Sequence, residues 1–207
     1  IASNSSTFMI SESSKNMRRP QRAIVTHWFN PPHIVPTVEV VPSPDTSEEV
    51  TKITIALHKK IGKLPVRINR EIPGFIANRV QFAMIREVWD LYERGIASKE
   101  DIDTAICGSL GFRLAVCGPL TICDFGGIDI WSTIYKELAP DLRHDAEVPE
   151  VIQKLADTGR IGASVGAGIH DYDPGIVGEI TSQRDEAMLK LAKLFYDKNS
   201  QPEGDSP

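Results

Sequence analysis

A chain of 207 residues, 41% hydrophobic and 25% charged, can bury a core as one domain or two small ones without a disulfide scaffold. Its net charge of −5 and pI near 5.6 give no electrostatic reason for binding nucleic acid. No apolar run of the roughly 18 residues that a membrane helix needs occurs, and no basic-then-apolar leader, so no membrane is expected and the cytoplasm is the default compartment.

In chain order, residues 1–4 read as the end of a strand with no element before it. Residues 22–29, rich in β-branched and aromatic side chains, predict a second strand, and residues 37–41, between Pro36 and Pro42, a third. A helix follows, with Thr46 and Glu49 spaced as a capping box. Val50, Ile53, Leu57 and Ile61 share one face of it, and Gly62 ends it. Residues 65–68 predict a short strand. From Pro73 the pattern becomes helical: Ile76, Val80, Met84, Val88 and Leu91 form a stripe expected to be buried along a helix over 75–94. Ser98 opens the next helix with a capping pattern, and residues 120–138, 147–157 and 179–199 are further helix candidates. Residues 162–168 form a glycine-rich loop and 201–207 a frayed tail. Cys107, Cys117 and Cys123 fit neither a disulfide framework nor a zinc site, so reduced, core-packed thiols and no metal are expected.

Four polar features stand out. His27 ends a strand and runs into Trp28-Phe29-Asn30-Pro31-Pro32, and Glu39 sits in an otherwise apolar strand. If those strands are neighbours, the carboxylate can accept from one ring nitrogen and fix the tautomer. The other nitrogen is then left to take a proton from a secondary alcohol. Taken alone, His27 reads more readily as a structural histidine and Glu39 as a strand-face charge, and only their pairing makes the two readings equal. Ser6 belongs to the polar cluster Ser3-Asn4-Ser5-Ser6, where a turn or N-cap role is open to it. Asn78 follows Pro73-Gly74-Phe75, where it also reads as a polar residue on a helix face.

Ser3-Asn4-Ser5-Ser6, His27-Trp28-Phe29-Asn30-Pro31, Val38-Glu39-Val40-Val41, Pro73-Gly74-Phe75-Ile76-Ala77-Asn78-Arg79 and Ser98-Lys99-Glu100-Asp101-Ile102-Asp103 resemble, in order and spacing, the L-3-hydroxyacyl-CoA dehydrogenase family. The resemblance implies an α/β plus all-α fold. Residues 1–72 would be the C-terminal part of a Rossmann-type NAD-binding domain. Residues 73–207 would be a helical, 6-phosphogluconate-dehydrogenase-like domain for substrate binding and dimerisation. It implies His27 as general base with Glu39 orienting it, and Ser6 on the substrate oxygen near the nicotinamide. Asn78 would lie near the substrate carbonyl and Asn30 close to NAD. The implied reaction is NAD-dependent oxidation of the 3-hydroxyl of an L-3-hydroxyacyl-CoA or related 3-hydroxy acid, a step of fatty-acid metabolism, by a homodimer acting on a small molecule.

The chain also departs from that pattern. Family members open with a strand, a G-x-G-x-x-G turn and a helix that hold the pyrophosphate; no such pattern occurs here, and Gly166-Ala167-Gly168 lacks the third glycine and the strand. Against a complete fold, roughly the first 110 to 120 residues would be absent, so weak NAD binding is expected. A non-catalytic helical dimerisation fragment is the reading from another class. Arg113, in Gly111-Phe112-Arg113-Leu114, resembles the lambda-crystallin-like branch, which implies a free hydroxy acid whose carboxylate a guanidinium can clamp. An ion pair with a surface carboxylate is equally open to Arg113. Ser164 and Ile169-His170 stand where relatives often carry a lysine near the cofactor and Phe-Tyr.

Overall fold

Among the described residues, four strands make one mixed sheet in the order β1-β2-β3-β4. β1 (Ala2–Ser3) runs parallel to β2 (Ile24–Trp28), β2 antiparallel to β3 (Thr37–Pro42), and β3 parallel to β4 (Leu64–Arg67). The computed structural model describes residues 1–196, so the tail over 201–207 and the end of the helix expected over 179–199 lie outside the described residues. The described residues form two compact units, Ile1–Phe82 together with 181–196, and Ala83–Ile180.

Alternation along the strands gives each face of the sheet its own contents. Ala23, Val25 and Val41 share one face with Ile10 of α1 (Ile10–Ser14), Ile68 and Phe75, and these six form the buried core cluster. The other face meets α2 (Glu48–Lys60), where the Trp28 ring lies 5.3 Å from that of His58.

Helix α2 corrects the expected cap. Its N-cap is Ser47, whose Oγ accepts from the Val50 amide at 3.2 Å, not Thr46. Thr46 Oγ1 instead donates to the Ala23 carbonyl at 2.6 Å and accepts from Ser43 N at 2.8 Å, so a tertiary contact has claimed the residue. The apolar stripe is not the buried face: Ile53, Leu57 and Ile61 are exposed, while Thr51 and His58 are buried. Thr51, Thr54 and His58 each bond a carbonyl four residues back in the chain, which satisfies their polar atoms and lets them face inward.

Helix α3 (Ala77–Glu93) has no fully buried residue. Ile76 and Val80 are 51% and 64% exposed, against the expectation of a buried stripe, whereas Val88 and Leu91 are half-buried. A helical period announces an apolar face without saying what covers it. In the second unit, α4 (Lys99–Ile106) is capped by Ser98 as expected, Oγ accepting from Asp101 N at 3.0 Å. A π turn, Cys107–Gly111, leads into α5 (Phe112–Leu114). The helix expected over 120–138 is two, α6 (Pro119–Gly126) and α7 (Ile128–Leu138), broken at Gly127 with φ +86°. α8 (Glu150–Asp157) and α9 (Val177–Tyr196) complete the order. Arg143 staples this unit: its guanidinium is 2.9 Å from Asp145 and 3.5 Å from Glu93, and its amide donates to Glu87 at 3.0 Å. The bond from Arg143 holds the Asp145 carboxyl below the usual carboxylate range.

The thiols are free but not core-packed. Cys107 is exposed, Cys117 and Cys123 are half-buried, and the same stretch turns Phe112, Val116 and Leu120 to solvent. Among the described residues no single helix is long and apolar enough to cross a membrane.

Candidate active site

His27 and Glu39 are direct partners across the antiparallel β2–β3 pair, on the face that carries Val25 and Val41. Nδ1 of His27 lies 2.8 Å from Oε2 of Glu39, with about 4% and 3% of the two side chains accessible. The rings of Phe29 and Phe75 stand edge-on to the imidazole at 4.7 and 5.5 Å. The other carboxylate oxygen, Oε1, accepts from the amides of Ile76 at 3.0 Å and Ala77 at 2.9 Å, at the start of α3. Gly74 and Phe75 make that approach possible, both with left-handed φ, 75° and 49°. For phenylalanine this backbone costs about 1–2 kcal/mol, and the fully buried ring holds it in place.

Two fixed amides orient the carboxylate, and ionised it is purely an acceptor. Nδ1 must then carry the ring proton, which leaves Nε2 as the basic nitrogen. Nε2 has no hydrogen-bond partner among the described residues. A buried imidazole held this way can accept a proton and return it from one fixed atom.

The remaining candidates of the first unit gather at the carboxyl ends of β1 and β2, the edge where ligands bind in open α/β sheets. Asn4 Oδ1 accepts from the Trp28 amide at 2.9 Å, tying the segment after β1 to the end of β2. Ser6, exposed in that segment, accepts on its carbonyl from Asn78 Nδ2 at 3.3 Å, so Ser6 and Asn78 are brought together. Asn30 is exposed just beyond β2. Hydroxyl and carboxamide groups of this kind can hydrogen-bond the carboxamide at the nicotinamide end of NAD. A pyrophosphate would call for a run of amides or cations. Arg113 belongs to the second unit, where it is exposed, donates from Nε to the Ser109 carbonyl at 3.4 Å, and pairs with no carboxylate among the described residues. Ser164 lies in a short turn, Ala163–Val165, and His170 Nε2 is 3.1 Å from Asp103. No group of three or more His, Cys, Asp or Glu side chains among the described residues could hold a metal ion.

Sequence reasoning missed the bond from Glu39 to α3. Its one local trace is the start of that helix, Pro73-Gly74-Phe75-Ile76, which offers no Ser, Thr, Asp or Asn as a cap.

Residues 1–72 match the family described as 3-hydroxyacyl-CoA dehydrogenase, NAD binding domain, and residues 74–172 that described as 3-hydroxyacyl-CoA dehydrogenase, C-terminal domain. The 5-formyl-3-hydroxy-2-methylpyridine 4-carboxylate 5-dehydrogenase of Mesorhizobium japonicum is 31% identical over 195 residues, 94% of this chain and 63% of its own length. The lambda-crystallin homolog of Homo sapiens is 34% identical over 197 residues, 94% of this chain and 61% of its own. A crystal structure of a 5-formyl-3-hydroxy-2-methylpyridine 4-carboxylic acid 5-dehydrogenase, described as an NAD+ dependent dismutase, superposes with a TM-score of 0.91 at 31% identity, over 95% of this chain and 63% of that one. The chain thus spans between 61% and 63% of the length of these relatives.

Proposed function

The chain belongs to the 3-hydroxyacyl-CoA dehydrogenase family, and from that premise we propose that His27 and Glu39 are the base pair of an NAD-dependent oxidation of a secondary alcohol. The substrate is an L-3-hydroxyacyl-CoA or a related 3-hydroxy acid. Nε2 of His27 takes the hydroxyl proton as the alcohol carbon becomes a ketone. Glu39 keeps the ring in register and offsets the charge of the imidazolium that forms. Because the α3 amides fix Glu39, the base does not have to be organised anew in each turnover. Ser6 and Asn78 orient the substrate oxygens, and Ser6 and Asn30 contact the cofactor. NAD, when bound, supplies the acceptor for the hydride released from the carbinol carbon.

The observation that carries this reading is the Glu39 carboxylate engaged on both oxygens, with a single ring nitrogen of His27 left over for chemistry. Its test is NADH formation by the intact protein and by His27→Ala. Loss of a general base lowers the rate by about 10²–10⁴-fold. A His27→Ala protein that turns over at the parent rate would leave the chain as a helical scaffold of dehydrogenase descent.

One observation favours a second substrate class. The exposed Arg113 has no carboxylate partner among the described residues, which suits a free hydroxy acid over a thioester. The relative from Mesorhizobium japonicum, whose name specifies a pyridine carboxylate, lends support to it. The bare apolar side chains of the second unit, Leu120, Phe125 and Tyr135 among them, support a homodimer.

A further inference from the structure

Between His27 and Glu39 the chain passes through Phe29-Asn30-Pro31-Pro32-His33-Ile34-Val35-Pro36. Its prolines have no N–H, so the segment carries more backbone acceptors than donors. Within it, the amides of Ile34 and Val35 both go to the Pro31 carbonyl at 3.0 Å. The carbonyls of Pro32 and Val35 are supplied from outside: Nζ of Lys63 donates to them at 2.6 and 2.7 Å. The same ammonium lies 5.1 Å from the centroid of the Trp28 ring.

Lys63 is itself well anchored. It sits in the turn after α2, where its amide donates to the His58 carbonyl at 2.9 Å, and the next amide, Leu64 N, donates to the Pro36 carbonyl at 2.9 Å. Partial burial pushes its side chain below the usual lysine range. A surface lysine ordinarily keeps its head in water. Here the head is committed to two carbonyls of one loop and to the ring beside it. The loop opens with Phe29, whose ring stands 4.7 Å from the imidazole of His27, and continues through Asn30.

We propose that Lys63 is a positioning residue for His27: its ammonium clasps the β2–β3 loop and so holds Phe29 against the imidazole. The effect on turnover rests on His27 being the base; the effect on the ring does not.

The test uses Lys63→Met, which keeps the stem and removes the cation, and Lys63→Arg, which returns a charged donor. Nitrogen NMR of labelled histidine reads the His27 Nδ1–H signal and its exchange with water. In Lys63→Met the signal shifts and exchanges about tenfold faster, as expected of a locally opened segment, and Lys63→Arg returns both toward the parent. Where turnover is measurable, kcat falls by about 10- to 100-fold at nearly constant KM, the size of effect a small misplacement produces. Should Lys63→Met fail to fold, Lys63→Gln is read in the same way. An unmoved His27 signal in a folded variant overturns the proposal, and so does a rise in KM with kcat intact. The NMR result decides even for a protein that turns nothing over, which separates failure of this inference from failure of the dehydrogenase reading.

Discussion

Glu39 faces His27 across two antiparallel strands at 2.8 Å and, through its second oxygen, caps the helix that carries Asn78. One carboxylate therefore orients the candidate base and anchors the element bearing a candidate substrate contact. Disturbing it tests both roles at once, and the two can be told apart.

Glu39→Gln keeps an oxygen for the amides of Ile76 and Ala77 but turns an NH2 toward Nδ1. The ring must then accept at Nδ1 and carry its proton on Nε2, the wrong tautomer for a base. The expected outcome is a fall in kcat of about 10³–10⁴-fold with a stability change of no more than about 1 kcal/mol. Glu39→Ala leaves two amides and the imidazole unpaired and costs about 3 kcal/mol in urea denaturation, besides the activity. A Glu39→Gln protein with parental kcat would remove Glu39 from the chemistry.

Arg113 separates the two substrate classes. A guanidinium paired with a substrate carboxylate contributes an interaction whose loss costs about 2–3 kcal/mol, or about 10²-fold in KM. Arg113→Ala is expected to raise KM by that factor for a free 3-hydroxy acid. A CoA thioester, which offers no charge at that end, should change by less than about twofold. Equal effects on both substrates in steady-state kinetics would dismiss the free-acid reading.

The second unit exposes 81% of Leu120 and 86% of Phe125, on a helix with no buried residue. Isolated exposed apolar residues are ordinary, but a run of them marks an interface. Sedimentation at micromolar concentration should give a dimer. Phe125→Asp should weaken it by at least about 30-fold, the loss of one central anchor, with unchanged helical content. A parent protein that sediments as a monomer would contradict this.

The strands were legible because β-branched runs end at prolines, and the pairing of His27 with Glu39 was open only on the condition that their strands are neighbours, which β2 and β3 are. The link from Glu39 to the amides of Ile76 and Ala77 was not legible, because it joins positions 37 and 38 residues apart that share no local pattern. The inner face of α2 was hidden for a different reason. Hydropathy ranks Thr51 and His58 as outward residues, yet hydrogen bonds to the preceding turn remove the penalty for burying them. On α3 the period was read correctly and its burial was not, since Ile76 and Val80 show where the apolar face lies and nothing about its cover.

The start of α2 gives a sharp comparison between local pattern and tertiary contact. Were Thr46 and Glu49 a capping box, each would matter about equally and Ser47 hardly at all. In the structure Ser47 caps the Val50 amide, so Ser47→Ala should cost about 1 kcal/mol. Thr46→Val breaks the bonds to the Ala23 carbonyl and from the Ser43 amide at the edge of the core, and should cost more, about 2 kcal/mol. Glu49 is exposed, and Glu49→Ala should stay within about 0.5 kcal/mol. Urea denaturation of the three variants gives the order Thr46, Ser47, Glu49. A large loss at Glu49 with none at Ser47 would restore the capping box and remove Thr46 as the tie between this helix and β2.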